Sequence, residues 1–234
     1  MSRLIAILIR HGDYHQLSNT PSALQPFGLN GNGRSQSAKA IELLKQMQAS
    51  SNAIFHPVID SSTLLRSWQT ADIIVHGLNA IDNIEVFDAL TERGLGSVAN
   101  LTIEQIENAI EQDPRFDSPP KDWKSNSYYC LPYQGAESLI DAGKRVADHL
   151  LKRMSAIDAR ILTSSEQDIF KIFVGHGAAF RHAAYHLGVM KFEEIAKLSM
   201  YYAQPLALEM HKDGSFSHAA GEWKIRPDVD SQLD

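Results

Sequence analysis

An α/β fold of three layers, a mostly parallel central sheet with helices on both faces, is predicted by three features of this 234-residue chain. Short apolar runs alternate with segments of helical period, the order that parallel strands joined by crossover helices produce. The first run, LIAILI at 4–9, is almost unbroken oil, as a strand buried on both faces must be. A composition of 44% hydrophobic and 21% charged residues supplies a sizeable core, so 1–234 reads as one domain with an insertion.

Taken in order, 4–9 is the first strand, and after the glycine-rich LNGNGR the amphipathic SQSAKAIELLKQMQ predicts a helix over 35–48. A strand at 57–61, a helix over 65–76 and a short strand at 84–87 follow. The stretch 94–135 behaves differently, with an amphipathic piece at 103–112 and then RFDSPPKDWKSNSYYCLPYQG, rich in Pro, Ser and aromatics. So long an irregular piece within a compact domain reads as a lid or binding loop. Helical pattern resumes over 137–154, a strand occupies 169–174, and a helix covers 178–187. The acidic DVDSQLD at 228–234 is expected to fray as a flexible tail.

Charge excludes several classes of partner. A formal net charge of −6 and no long Lys/Arg run leave no electrostatic footprint for nucleic acid or an anionic membrane, so any anion must use a local pocket. The sole cysteine, Cys130, excludes an internal disulfide framework, and the apolar run at 4–9 is far too short for a membrane span or a signal-peptide core. The simplest reading is a cytoplasmic protein.

Two strand ends share one local form. The first strand ends in Arg10-His11-Gly12, and the strand at 169–174 ends in Gly175-His176-Gly177 before a helix. In open α/β sheets ligands collect outside the carboxyl ends of strands, and adjacent strands lie about 5 Å apart, so these histidines can face one another across a small pocket. The glycines would let a ligand approach the backbone, and the helix starting near Ala178 would add exposed N–H groups for a phosphate or carboxylate. Arg66, near the start of the helix in SSTLLRSWQTA, can join Arg10 as a two-pronged phosphate clamp, because the planar guanidinium fork matches phosphate oxygens. In LTERGLG, Glu92 follows a strand. A carboxyl there, kept protonated by burial, can donate a proton to a leaving oxygen. Taken singly, each has a plainer reading: a hydrogen-bonded core histidine, a solvated helix arginine, a glutamate paired with Arg93 or capping a helix.

Together, Arg10-His11-Gly12, Arg66 in RSWQTA, Glu92 in LTER and His176 in GHGAAFR stand in the order of the histidine phosphatase superfamily, which the chain resembles over roughly 4–210 and which includes cofactor-dependent phosphoglycerate mutases. The resemblance implies a phosphomonoesterase with His11 as nucleophile and a phosphohistidine intermediate. It implies Arg10, Arg66, Gly12, Gly177 and His176 around the transferring phosphate, and Glu92 as proton donor to the leaving alcohol. His11 must keep its attacking nitrogen unprotonated, so its other nitrogen should donate to a backbone carbonyl. No metal or cofactor is required by this scheme, and the partner it implies is a small organic phosphate or a phosphoprotein.

Some pieces resemble the mutases themselves, RFDSPP at 115–120 and LPYQGAESLIDAGKRV at 131–146. Others depart. Mutases continue R-H-G with Glu-Ser and a nearby Asn, where this chain has Asp13, Tyr14 and His15, and Leu17. They carry E-R-x-Y-G where this chain has Glu92-Arg93-Gly94-Leu95-Gly96, and their arginine pair for the substrate carboxylate has no clear counterpart. These departures fall on substrate contacts, which favours a phosphatase over mutase-type phosphoryl transfer. A non-catalytic relative that binds a phosphate ligand is a further alternative. His182 and His186, spaced i and i+4, offer a metal-hydrolase alternative, although no H-E-x-x-H motif or carboxylate cluster accompanies them. Trp123, Tyr128, Tyr129 and Tyr133, with Lys121 and Lys124, either line a pocket or pack the 94–135 stretch onto the rest, and packing is the reading for most of them.

Overall fold

A computed structural model describes residues 2–157 and 167–226. The acidic stretch at 228–234 lies outside the described residues. Strand β1 (Leu4–Arg10) leads through a long loop to α1 (Gly31–Ser51), followed by β2 (Ala53–Phe55), β3 (Val58–Ser62), α2 (Leu65–Gly77) and β4 (Asn83–Phe87). Then come α3 (Ile103–Glu111), α4 (Leu139–Ser155), β5 (Asp168–Gly175), α5 (Gly177–His186) and the single turn α6 (Phe192–Ile195). The chain closes with β6 (Leu198–Ser199), β7 (Pro205–Met210), β8 (Phe216–Ala220) and β9 (Lys224–Ile225).

The main sheet runs β4-β3-β5-β1-β7-β8, with β2 also paired to β5. Pairings among β1 to β5 are parallel, and β7 and β8 add an antiparallel edge. All seven residues of β1 are buried because alternate side chains enter different cores. Leu4, Ala6 and Leu8 pack with Val146 and Leu150 of α4 and Phe180 of α5. Ile5, Ile7 and Ile9 pack with Leu44 of α1 and Ile74 of α2. Helices therefore cover both faces, and β1 sits beside β5 at the centre, both strands buried along their whole length.

Register places the two histidines. Along the parallel β1/β5 pair, Leu4 lies opposite Ile169 and Arg10 opposite Gly175, so both strands end level. The chain leaves β1 toward β3 and leaves β5 toward β7, on opposite sides, and the crevice opens where these paths diverge.

Differences from the sequence reading have local causes. The first helix starts at Gly31, four positions before 35, because the Asn30 side chain caps it by accepting from the Gly33 N–H. Gly33 is required by contact: a Cβ there would lie 1.8 Å from the Asp13 carbonyl, and one at Gly12 would lie 2.5 Å from the Gly33 carbonyl. The glycine-rich segment thus lets the start of α1 press directly on the turn after β1. Strands β2, β6 and β9, of two or three residues each, are too short to show a period. Strand β7 opens on a proline, tolerated at a strand's first residue.

The 94–135 stretch is less irregular than its composition predicts. Helix α3 is closed by a capping box between Thr102 and Gln105, and Val98, Ile106, Ile110, Trp123 and Leu131 form a small core of their own with Ala23 and Leu95. Trp123 is buried in that core and donates its indole N–H to Glu107 at 2.8 Å, whereas Tyr128 is exposed and stacks on Phe192. No helix among the described residues is long and apolar enough to cross a membrane.

Candidate active site

The site begins with the neutral state of one imidazole. At the end of β1 the His11 N–H donates to the Gly175 carbonyl at 3.0 Å, fixing the backbone across the β1/β5 pair. The His11 Nδ1 stands 2.7 Å from the Gly12 carbonyl, which can only accept, so the ring proton is on Nδ1 and Nε2 carries the lone pair. The Arg66 Nε–H points at that lone pair across 3.2 Å. Burial, first, and then the Arg66 and Arg10 charges hold the His11 pKa well below the ordinary 6.5.

Arg66 is fully buried in the first turn of α2, and main-chain oxygens surround it. Its Nη1 donates to the Gln25 carbonyl at 2.8 Å, and its Nη2 donates to the carbonyls of Ala23 at 2.8 Å and Ser22 at 3.3 Å. The Tyr14 ring covers the guanidinium at 4.6 Å. The rest of RSWQTA secures neighbouring segments. Gln69 accepts from the Leu29 N–H, and the Thr70 hydroxyl accepts from the Gly12 N–H at 3.0 Å while donating to the Arg66 carbonyl.

His176 stands between β5 and α5, its ring 5.0 Å from that of His11. Its Nδ1 receives an Arg66 Nη2–H at 3.3 Å, so its proton is on Nε2, 2.9 Å from the Ser62 hydroxyl and 3.3 Å from that of Ser67. Its pKa too lies well below the ordinary value, again through burial first and then Arg66. Arg10 completes the group: its guanidinium donates to the Met200 carbonyl at 3.2 Å and lies 4.1 Å over the Tyr202 ring. A Cβ on Gly177 would come within 3.1 Å of Arg10, so this glycine lets α5 lie against the arginine. Four of the predicted residues, Arg10, His11, Arg66 and His176, thus converge from three strand ends.

Glu92 is buried at the start of α5, where its carboxylate accepts from the N–H groups of Ala178 at 3.2 Å, Ala179 at 3.1 Å and Arg93 at 2.9 Å. Two expectations are corrected here. The first N–H groups of the helix at 178 are given to Glu92, because a carboxylate already fills that positive end. The Gly12 N–H goes to Thr70 and so does not face a ligand. The hydrogen bonds of Glu92 among the described residues are ones that its oxygens accept.

The segment carrying Glu92 is clamped from α4. Arg145 donates to the carbonyls of Asp88, Ala89 and Thr91 and to both oxygens of Glu137, and Glu137 accepts from the Gly94 N–H at 2.9 Å. Sequence reasoning missed this clamp, as it missed Gln25, Ser62, Ser67 and Tyr202. The GAES piece at 135–138 was its only signal. Asp13 turns away to Asn30 and the Tyr14 N–H, His15 is exposed, and Tyr14 bonds Ser22 and packs edge-on against His11. His182 uses both ring nitrogens, on the Ala178 carbonyl and the Ser127 hydroxyl, and His186 bonds the Ile140 carbonyl. Beside Glu92 a cavity of about 890 Å³ opens between the 121–128 segment and α5, with Ala23, Arg93 and Ala178 on its wall.

The model of the histidine phosphatase superfamily, branch 1, matches residues 6–221 of the chain. The chain belongs to that superfamily. A 2,3-bisphosphoglycerate-dependent phosphoglycerate mutase of Corynebacterium glutamicum is 25% identical over 93% of this chain and 90% of its own. Among solved histidine phosphatase-like folds, a mycobacterial glucosyl-3-phosphoglycerate phosphatase superposes with a TM-score of 0.66 at 18% identity, covering 96% of this chain and 97% of its own. A phosphoserine phosphatase of Entamoeba histolytica gives 0.62 at 19% identity, over 93% and 95%. At such identities these structures speak for the superfamily fold, which the chain shares.

Proposed function

We propose that this histidine phosphatase superfamily member is a phosphomonoesterase that works through a phosphohistidine on His11. One observation carries the reading: a buried neutral imidazole whose Nε2 lone pair accepts from the Arg66 guanidinium, with the Arg10 charge also acting on it. In the first step Nε2 attacks phosphorus, the P–O ester bond breaks, and the leaving oxygen takes a proton delivered by Glu92. Arg10, Arg66 and the neutral His176 hold the equatorial oxygens. An entering phosphoryl oxygen takes over the Arg66 N–H groups that now rest on the two imidazoles. In the second step water loses a proton to Glu92 and attacks the phosphohistidine, the N–P bond breaks, and inorganic phosphate leaves. Proton uptake and release by Glu92 balance over the cycle, and none of these steps on the chain's own residues calls for a cofactor.

Hydrolysis is favoured over mutase-type transfer by the surroundings. Asp13 is spent on Asn30 and Tyr14, and Leu95 stands where mutases place a tyrosine. The substrate is a small phosphate ester or a phosphoprotein, and the site works away from membranes and nucleic acid, in the cytoplasm. A panel of phosphomonoesters, including 3-phosphoglycerate with and without 2,3-bisphosphoglycerate, tests this by reading free phosphate and isomer exchange together. Phosphate release is expected; exchange without release would establish the mutase reading instead.

A further inference from the structure

Arg10 borders a second cavity, of about 530 Å³, lined by α1, by the loop at 200–204 between β6 and β7, and by Lys224 of β9. It shares no lining residue with the cavity beside Glu92, and His11, Arg66 and His176 are not part of its wall. The loop grips Arg10 at three points. The Met200 carbonyl accepts from the guanidinium at 3.2 Å, the Tyr202 ring lies 4.1 Å from it, and the Ala203 N–H donates to the Arg10 carbonyl at 2.8 Å. Ala203 makes that bond from the left-handed region, at φ 51°, where a residue with a Cβ is strained. A ligand against this loop therefore acts on a strained segment that is fastened to Arg10.

We propose that this cavity is a second binding site, for a small organic anion with an apolar body, and that its occupant weakens phosphate binding at His11 through Arg10. Charge selects the anion. Arg10, Lys39 and Lys224 stand on the wall, and the carboxylate among the lining residues, Glu42, already meets Lys45 at 3.4 Å. Among the described residues the ammonium groups of Lys39 and Lys224 have no hydrogen bond or ion pair. The Gln36 side chain accepts from the Asp13 N–H through its oxygen and keeps its NH2 for a ligand. Surface selects the apolar body: Leu43 and Tyr201, 38% and 37% exposed, line the cavity beside the buried Met200 and Ala203. The sign of the effect follows from the shared guanidinium. Two anions that draw on one cation repel each other across it, so each lowers the affinity of the other by the same factor. The site goes beyond the hydrolytic reading, since phosphate binding at Arg10 is enough for the coupling.

The test is calorimetric titration of the intact chain with 2-naphthoate, which has a carboxylate and an apolar ring system but no phosphoryl group, and with 2-naphthamide as the uncharged control. The naphthoate should bind more tightly than the amide, and saturating inorganic phosphate should weaken it about fivefold or more without abolishing it. Lys39→Met and Lys224→Met should each weaken the naphthoate about threefold or more and leave phosphate binding in its absence unchanged. In steady-state assays with a phosphate ester, rising naphthoate should raise KM to a plateau, and the two variants should shift that curve to higher concentration. A KM that climbs without a plateau, with binding abolished by phosphate and indifferent to both lysines, would seat the naphthoate on the catalytic group and overturn the second site. Absence of binding, or equal binding of the amide, would overturn it as well, and lysine-dependent binding that phosphate leaves unchanged would overturn the coupling. If no ester is hydrolysed, the phosphate titration still reads the coupling, so the phosphomonoesterase reading can fail while the second site stands.

Discussion

Arg145 in α4 meets Glu137 at 2.5 Å, and the two together hold the segment from Asp88 to Gly94 by its main chain. Neither faces His11, yet the carboxylate of Glu92 takes its position from the backbone they grip. Breaking this pair should therefore act on proton transfer. Glu137→Gln and Arg145→Lys are expected to lower kcat on esters with poor leaving groups by about 10-fold or more while sparing aryl esters that need little protonation. Steady-state kinetics across a series of leaving-group pKa values checks this; equal losses on every ester would assign the pair to stability alone.

The nucleophile makes a sharper prediction. His11→Ala is expected to lose about a thousandfold or more in kcat and to form no acid-labile phosphoryl adduct by intact mass after quenching. Turnover close to the parent level would end the phosphohistidine scheme.

Glu92→Gln keeps the size of the side chain and removes its acid–base function. A loss of about 100- to 10,000-fold is expected on alkyl phosphates, with a much smaller loss on p-nitrophenyl phosphate. The comparison of the two substrates in one assay is the measurement, and parallel losses would remove Glu92 from the proton path.

Acid should act on stability through the buried histidines. Burial lowers the His182 pKa to about 4, against 6.5 in the unfolded chain. Below pH 6.5 the unfolded chain binds a proton that the folded one refuses, so stability falls as the pH drops from 6.5 toward 4, by up to about 3 kcal/mol from this residue. His182→Gln, which keeps a partner for Ser127, should lose less melting temperature than the parent between these limits. His11 and His176 shift in the same direction, so the acid limb of kcat/KM that His11 sets should lie well below pH 6.5.

Much of the architecture was legible because burial on both faces leaves a mark in composition. The oil of 4–9 and of 169–174 named the two central strands, and the residues at their ends are those the register brings level. What escaped had no identity to read. Arg66 is held by the carbonyls of Ser22, Ala23 and Gln25, and any residue supplies a carbonyl. The antiparallel edge of β7 and β8 escaped because PLALEM is short and opens on proline. The Glu92 environment was half legible: helix capping and pairing with Arg93 were both open readings, and its oxygens do meet the start of α5 and the Arg93 N–H.

One arrangement has a bearing on selectivity. Two N–H groups of Arg66 rest on the lone pairs of His11 and His176, so the imidazoles solvate the cation much as water would. A ligand that enters must replace both contacts at once. An uncharged ester, sulfoxide or amide would exchange charged hydrogen bonds for others no better, whereas a phosphate brings full negative charge to the same two protons. If the site takes phosphate as proposed, it should therefore reject neutral compounds of similar shape before any chemistry begins, with the histidines serving as the competitor that every visitor has to outbid.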